Sequence, residues 1–182
     1  FIDCFAEAGV MKLVLGGGEP FLRDDLAALV RHADGKGVDC FVHTNGSVLT
    51  KERLEELARC TPAALAVSMD GPDAESNDAV RGAHAFARTL KGLESLRAHY
   101  PPGFNVSVTI TPQNVKLAPR MVELAHEAEA KVLLLRPAYP AGEAAKVAEL
   151  MCSRDDFARA IDLARARAKE LGVTVDAPHP HA

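Results

Sequence analysis

Glu19 has the most chemically suggestive setting in the chain, because it follows Gly16, Gly17 and Gly18 and precedes Pro20 within residues 11–23, MKLVLGGGEPFLR. The glycines remove every Cβ where the chain leaves a short apolar run ending at Val14 and Leu15, so a ligand can approach the backbone closely. Pro20 fixes its own φ and pushes Glu19 towards an extended conformation, which presents the carboxylate at the strand's C-terminal mouth. A cationic amine suits that corner. A carboxylate so placed contributes little to a core, and Glu19→Ala is expected to leave folding nearly intact. Hydrogen-bonding residues also stand just past each later apolar run: His43, Thr44, Asn45 and Gly46; Ser68, Asp70 and Gly71; Thr109 and Thr111; Arg136. Together these strand ends fit one shared cofactor site, with Glu19 and Asp70 suited to an amine or ribose and Arg136 or Arg81 to a carboxylate.

The elements that must position these residues alternate in type. After the strand ending at Leu15, strands are expected at 38–43 (VDCFVH), 64–69 (ALAVSM), 106–110, 131–135 (KVLLL) and 173–175. Between them run apolar stripes of helical period: Leu26, Leu29, Val30 and Ala33; Leu54, Leu57 and Ala58 behind a Thr50 cap; Phe86, Leu90, Leu93 and Leu96; Leu117, Met121, Leu124 and Ala128. The last helix is the clearest, with Ser153 as cap, Asp155 and Asp156 in its first turn, and Phe157, Ile161, Ala164, Ala168 and Leu171 inside. Residues 73–82 read as a polar connection. Strands apolar enough to be covered on both sides, alternating with helices, define an α/β class with a parallel sheet. In such folds ligands bind at the C-terminal ends of the strands, where the polar residues above collect. A closed eight-unit barrel takes about 250 residues, so 182 residues allow a partial barrel or an open sheet.

Composition bounds the partners. With 48% hydrophobic and 25% charged residues the chain can bury a sizeable core, and its net charge of −4 with dispersed lysines and arginines excludes nucleic acid as an expected partner. No apolar run approaches a membrane span and no basic-then-apolar leader opens the chain, so no membrane is expected and the cytoplasm is the expected compartment. Cys4, Cys40, Cys60 and Cys152 are too scattered for a metal motif and read as buried thiols. The histidines show no paired zinc spacing; His179 and His181 lie in a tail that would take a metal only adventitiously. FIDCFAEAGV reads as the second half of an amphipathic helix, which predicts that the chain is cut at Phe1.

Gly17-Gly18-Glu19-Pro20, Thr44-Asn45-Gly46, Ser68-Met69-Asp70-Gly71-Pro72 and Asp78-Ala79-Val80-Arg81-Gly82, in that order and spacing, resemble the radical S-adenosylmethionine (radical SAM) enzymes. The resemblance runs from about residue 1 to 142 and is greatest to the subgroup with a C-terminal auxiliary-cluster extension, which modifies peptides or matures enzymes. It implies a partial (β/α)6 TIM-like barrel core over 1–142, lacking its first strand and cluster loop, with 143–182 beginning a truncated extension. It also implies a [4Fe–4S] cluster on three cysteines with one iron open to S-adenosylmethionine. Reductive cleavage of that cofactor gives a 5′-deoxyadenosyl radical, which abstracts hydrogen from a peptide or cofactor precursor, with electrons from a donor such as a flavodoxin or ferredoxin. Carried over by position, Gly17, Gly18 and Glu19, with Pro20 shaping the turn, meet the methionine amino group and Asn45 belongs to the same shelf. Ser68 and Asp70 meet the ribose side, Arg81 the carboxylate, and Arg136 the adenine edge. The family's CxxxCxxC loop is absent from the 182 residues, so the cluster ligands are expected upstream of Phe1 and the chain alone is expected to be inactive. Where the subgroup often has an arginine after Pro-x-Gly, Glu143 follows Pro140-Ala141-Gly142.

Two other classes compete. A Schiff-base lyase or aldolase needs a lysine near a strand's C-terminal end, and Lys12 and Lys131 lie at strand beginnings. A cluster-free binding or scaffold protein would have no reason to keep Glu19 and Asp70.

Overall fold

The computed structural model describes residues 1–140 and 147–179. Helices and parallel strands alternate as α1 (Ile2–Glu7), β1 (Lys12–Leu15), α2 (Leu26–Asp34), β2 (Asp39–Thr44), α3 (Lys51–Ala58), β3 (Ala64–Ser68), α4 (Ala74–Arg81), α5 (Ala85–His99), β4 (Asn105–Ile110), α6 (Ala118–Glu127), β5 (Val132–Pro137), α7 (Arg154–Leu171) and β6 (Thr174–Asp176). All six expected strands are present, shifted by one or two residues, and the α/β class with parallel strands holds. The chain divides into two compact units, Phe1–Ser68 with Arg88–Phe104, and Met69–Ala87 with Asn105–Ala182. The expected boundary at 142/143 lies outside the described residues.

In the first unit β2 pairs with β1 on one side and β3 on the other, in registers such as Leu15 with Val42 and Thr44 with Val67. Helix α2 follows from its stripe: Leu26, Val30 and Ala33 are buried against the sheet side while Leu29 sits at the margin, and Gly35 closes the helix. Thr50 caps α3 by accepting from Arg53 N–H, as its position before the helix predicts. Phe21, Leu54, Leu57, Leu65 and Leu96 fill the core. Like β6, β1 has a single strand neighbour among the described residues, β2, and its Val14, with Phe1, Phe5 and Met11 nearby in sequence, is exposed. Coverage on both faces, expected for every strand, therefore fails at β1.

In the second unit β5 lies between β4 and β6, with Val108 opposite Leu135 and Leu133 opposite Val175. Met121, Val122, Leu133, Phe157 and Ile161 form its core. Ser153 caps α7 through Asp156 N–H, and Gly172 ends it in the left-handed conformation at φ 71° that a glycine adopts freely. Residues 73–82, read from the sequence as a connection, form α4 instead. Its hydrophobic residues, Ala74, Ala79 and Val80, are exposed and its one buried residue is Asn77, so no apolar period marks the helix. The Asp73 cap, accepting from Ser76 N–H, is the signal that finds it.

Candidate cofactor site

At the end of β1 the chain turns through Gly16, Gly17 and Gly18 into a single 3₁₀ turn at Pro20–Leu22, for which Glu19 is the cap. Glu19 is extended at φ −149° and ψ 113°, the conformation Pro20 imposes on the residue before it. Gly17 has φ +98°, where a side chain would be strained, and a Cβ built on Gly17 or Gly18 meets no atom within 4 Å. The glycine backbone is thus open to a ligand on that side.

The Glu19 carboxylate is not a free group on that shelf. Its Oε1 accepts from Phe21 N–H at 3.1 Å and from the Thr44 hydroxyl at 2.7 Å, and its Oε2 accepts from Asn45 N–H at 2.7 Å. One side chain therefore joins the turn after β1 to the turn after β2. A carboxylate offers about four acceptor positions, so three bound donors leave room for one more. Glu19 is half-buried, which strengthens an ionic contact made there. The expectation that Glu19→Ala leaves folding nearly intact is corrected by these bonds, because truncation strands Asn45 N–H and the buried Thr44 hydroxyl.

The Thr44-Asn45-Gly46 turn is held from its other sides. Gly46 N–H donates to Thr44 Oγ1 and Ser47 N–H to Asn45 Oδ1, and the Thr89 hydroxyl of α5 donates to Asn45 O. A Cβ at Gly92 would fall on the Gly46 carbonyl, so α5 lies backbone to backbone against the turn. Sequence reading named Asn45 but missed Thr89 and Gly92, which lie more than forty residues away in an ordinary helical stripe.

The second unit carries a separate polar cluster at the C-terminal end of β4 and the start of α4. Asp70 is 3% exposed; its Oδ1 accepts from Thr109 N–H at 2.7 Å and its Oδ2 lies 2.8 Å from Arg81 Nε. The Nε–H does not point along that line and makes no hydrogen bond, so the attraction is Coulombic. Asp70 N–H donates to Asn77 Oδ1, and Asn114 donates through Nδ2 to the carbonyls of Asp70 and Thr109. Gly71 leaves no room for a Cβ, which would strike Ser76 Oγ and Asn77 N. Asn77 and Asn114 carry this cluster, yet as lone asparagines they gave no sequence signal.

The remaining expected contacts fall as follows. Ser68 is half-buried at the end of β3. Arg136 lies within β5, and its guanidinium is bound to Asp176 of β6, to Oδ2 at 2.6 Å and to the carbonyl at 3.2 Å, and to Leu135 O. Its bonds join two strands. Cys4 is exposed, Cys40 and Cys60 are buried, and no three His, Cys, Asp or Glu side chains among the described residues gather as a metal site. The described residues therefore do not fit an iron–sulfur cluster. No helix among them is long and apolar enough to cross a membrane.

Parallel strands alternating with helices, with polar turns at their C-terminal ends, define an α/β fold of the partial-barrel class, in which ligands bind at that edge. Residues 2–125 match the Radical SAM superfamily, and the chain belongs to that superfamily. It is 40% identical over 129 residues to an AdoMet-dependent heme synthase of Methanosarcina barkeri, covering 70% of this chain and 36% of that protein. It is 35% identical over 138 residues to the mycofactocin maturase MftC of Mycobacterium tuberculosis, covering 75% and 35%. The fold matches Streptococcus suis SuiB bound to its precursor peptide SuiA, with a TM-score of 0.79 at 15% identity over 98% of this chain and 40% of that one. The chain thus spans well under half the length of these relatives.

Proposed function

We propose that this chain is the partial-barrel core of a radical SAM enzyme that acts on a peptide or a cofactor precursor, and that its glycine shelf binds the methionine amino group of S-adenosylmethionine. The single observation that carries the reading is the Glu19 carboxylate, fixed by three donors beside an open glycine backbone with acceptor capacity remaining. Gly17 and Gly18 admit the ligand, Pro20 sets the turn, Asn45 holds the carboxylate, and Glu19 accepts from the ammonium. With a [4Fe–4S] cluster held beside it by residues outside this chain, S-adenosylmethionine would supply the chemistry of radical hydrogen abstraction. The thiolate ligands of that cluster belong, on this reading, to a segment preceding Phe1, and the open edge of β1 with exposed Val14 is where a further parallel strand would pair. Electrons come from a small redox protein such as a flavodoxin or ferredoxin. The names of the relatives, a heme synthase and a peptide maturase, support a tetrapyrrole or a peptide as substrate class.

Ser68, at the end of β3, is assigned to the ribose side. Within the second unit Asp70 and Arg81 hold each other and the β4 end, and Arg136 joins β5 to β6. The test is to reconstitute the full-length protein anaerobically with iron and sulfide, add S-adenosylmethionine and dithionite, and quantify 5′-deoxyadenosine. Production that needs the cluster supports the reading. A cluster-loaded protein that binds S-adenosylmethionine no better than the apoprotein and never cleaves it refutes it, and favours a scaffold.

A further inference from the structure

Phe21 links two supports. Its N–H is given to Glu19 Oε1, and its carbonyl, one peptide further on, accepts from Arg53 NH1 of α3. Arg53 also donates to the carbonyl of Arg23 at 3.3 Å and to Asp24 Oδ1 at 2.6 Å. One guanidinium thus collects two carbonyls and a carboxylate at the exit of the 3₁₀ turn whose entry is Glu19. Such a turn has carbonyls at its C-terminal end with no partner of their own, and only a planar fork with several donors reaches two of them and an acid at once. The side chain is about one-third exposed, and the Phe21 ring below it is 1% exposed. Phe21 is therefore fixed by its ring in the core and by Arg53 at its carbonyl, which leaves its N–H a single direction in which to point.

We infer that Arg53 is a positioning residue for the S-adenosylmethionine shelf: it touches no cofactor but sets, through the Phe21 peptides, the orientation of the Glu19 carboxylate. The inference rests on the assignment of Glu19 to the amino group. Thr44 and Asn45 hold Glu19 from β2, and Arg53 of α3 holds the Phe21 carbonyl, whose residue's N–H is the third donor to Glu19. With the α3 hold removed, the turn pivots about the Pro20 ring and the carboxylate keeps its two β2 donors while the glycine backbone moves away from it. The shelf then offers its acceptor and its backbone groups in the wrong mutual geometry. Lysine keeps the charge, but its single ammonium cannot hold the carbonyls and the Asp24 carboxylate together as NH1 and NH2 do.

The test is a double-mutant cycle on S-adenosylmethionine affinity, measured by anaerobic calorimetry on the full-length, cluster-reconstituted protein. Its members are wild type, Arg53→Gln, Glu19→Gln and the double variant, with Arg53→Lys and Lys51→Gln alongside. Urea melts on the same samples establish that each variant is folded at the titration temperature. Arg53→Gln is expected to weaken binding about five-fold and Arg53→Lys by less, with Lys51→Gln unchanged, and the double variant is expected to bind like Glu19→Gln alone because the two act as a unit. Unchanged affinity in Arg53→Gln, or losses that simply multiply in the double variant, overturn the positioning role while leaving Glu19 as the amine acceptor. Wild-type affinity in Glu19→Gln is a different failure, and removes the assignment on which the inference rests.

Discussion

Breaking the Asp70–Arg81 pair is expected to destabilise the second unit far more than breaking any surface ion pair of this chain. At 2.8 Å the Coulomb attraction is about 6 kcal/mol at an effective dielectric constant of about 20. Desolvation of both ions offsets most of that, so the pair as a whole contributes little net stability. Removing one partner is another matter, since it leaves an uncompensated charge at a site where the Asp70 side chain is 5% exposed. Such a change costs about 3–5 kcal/mol for fully buried pairs. Asp70→Asn should fall at the low end, about 3 kcal/mol, because Arg81 is 24% exposed and can be partly resolvated, and because Asn Oδ1 still accepts from Thr109 N–H. Arg81→Gln leaves the more buried partner stranded and should cost about as much. The double variant should cost nearly the same as either single one, giving a coupling energy of about 2–3 kcal/mol. Urea unfolding followed by far-ultraviolet circular dichroism measures all four proteins. Single variants each within 1 kcal/mol of wild type, or strictly additive losses, would refute the assignment of this pair to structural support.

Other perturbations have equally definite outcomes. Gly92→Ala places a methyl on the Gly46 carbonyl and should destabilise the first unit by about 1–3 kcal/mol in a urea melt, whereas a helix-propensity argument alone predicts a gain. Hydrogen bonds from Ser76, with Arg120 nearby, hold the Asp73 carboxyl below its usual 3.8, and those from Phe86 N–H and His84 N–H do the same for Asp78. Groups with a folded-state pKa below the unfolded value stabilise above the latter, and that stability is lost as pH falls through the folded pKa. Unfolding free energy should therefore drop as pH is lowered below about 4, and Asp73→Asn with Asp78→Asn should flatten that slope.

The legible part of the fold is the part with period. β1, β3 and β5 carry runs of Val, Leu or Ala, β4 alternates Val and Ile with polar residues, and α2, α6 and α7 carry stripes whose members are buried mostly where the period puts them. Helix α4 escaped because its inward residue is the polar Asn77, which accepts from the backbone N–H of Asp70, so no apolar stripe marks the helix. At the candidate site, the glycines, Glu19, Pro20 and Asn45 were legible because their local conformational rules act over one or two residues. What Glu19 binds was not legible, since Thr44 and Asn45 reach it only through the pairing of β1 with β2. For the same reason the partners of Asp70 and Arg136, namely Arg81 with Thr109 and Asp176, were not legible. Arg53 carries no signal in the sequence, because the two carbonyls it holds come from the turn at Pro20–Leu22, about thirty residues away along the chain.

The central claim is that the Glu19 carboxylate receives the amino group of S-adenosylmethionine. The most direct measurement compares the dissociation constant of S-adenosylmethionine with that of its desamino analogue, for full-length wild type and for Glu19→Gln, by anaerobic calorimetry. The account predicts that wild type prefers the amino-bearing ligand by at least about ten-fold, the equivalent of roughly 1.4 kcal/mol for one charge-assisted contact, and that Glu19→Gln abolishes most of that preference. A preference retained in full by a folded Glu19→Gln protein would contradict it, and would move the amine to another acceptor.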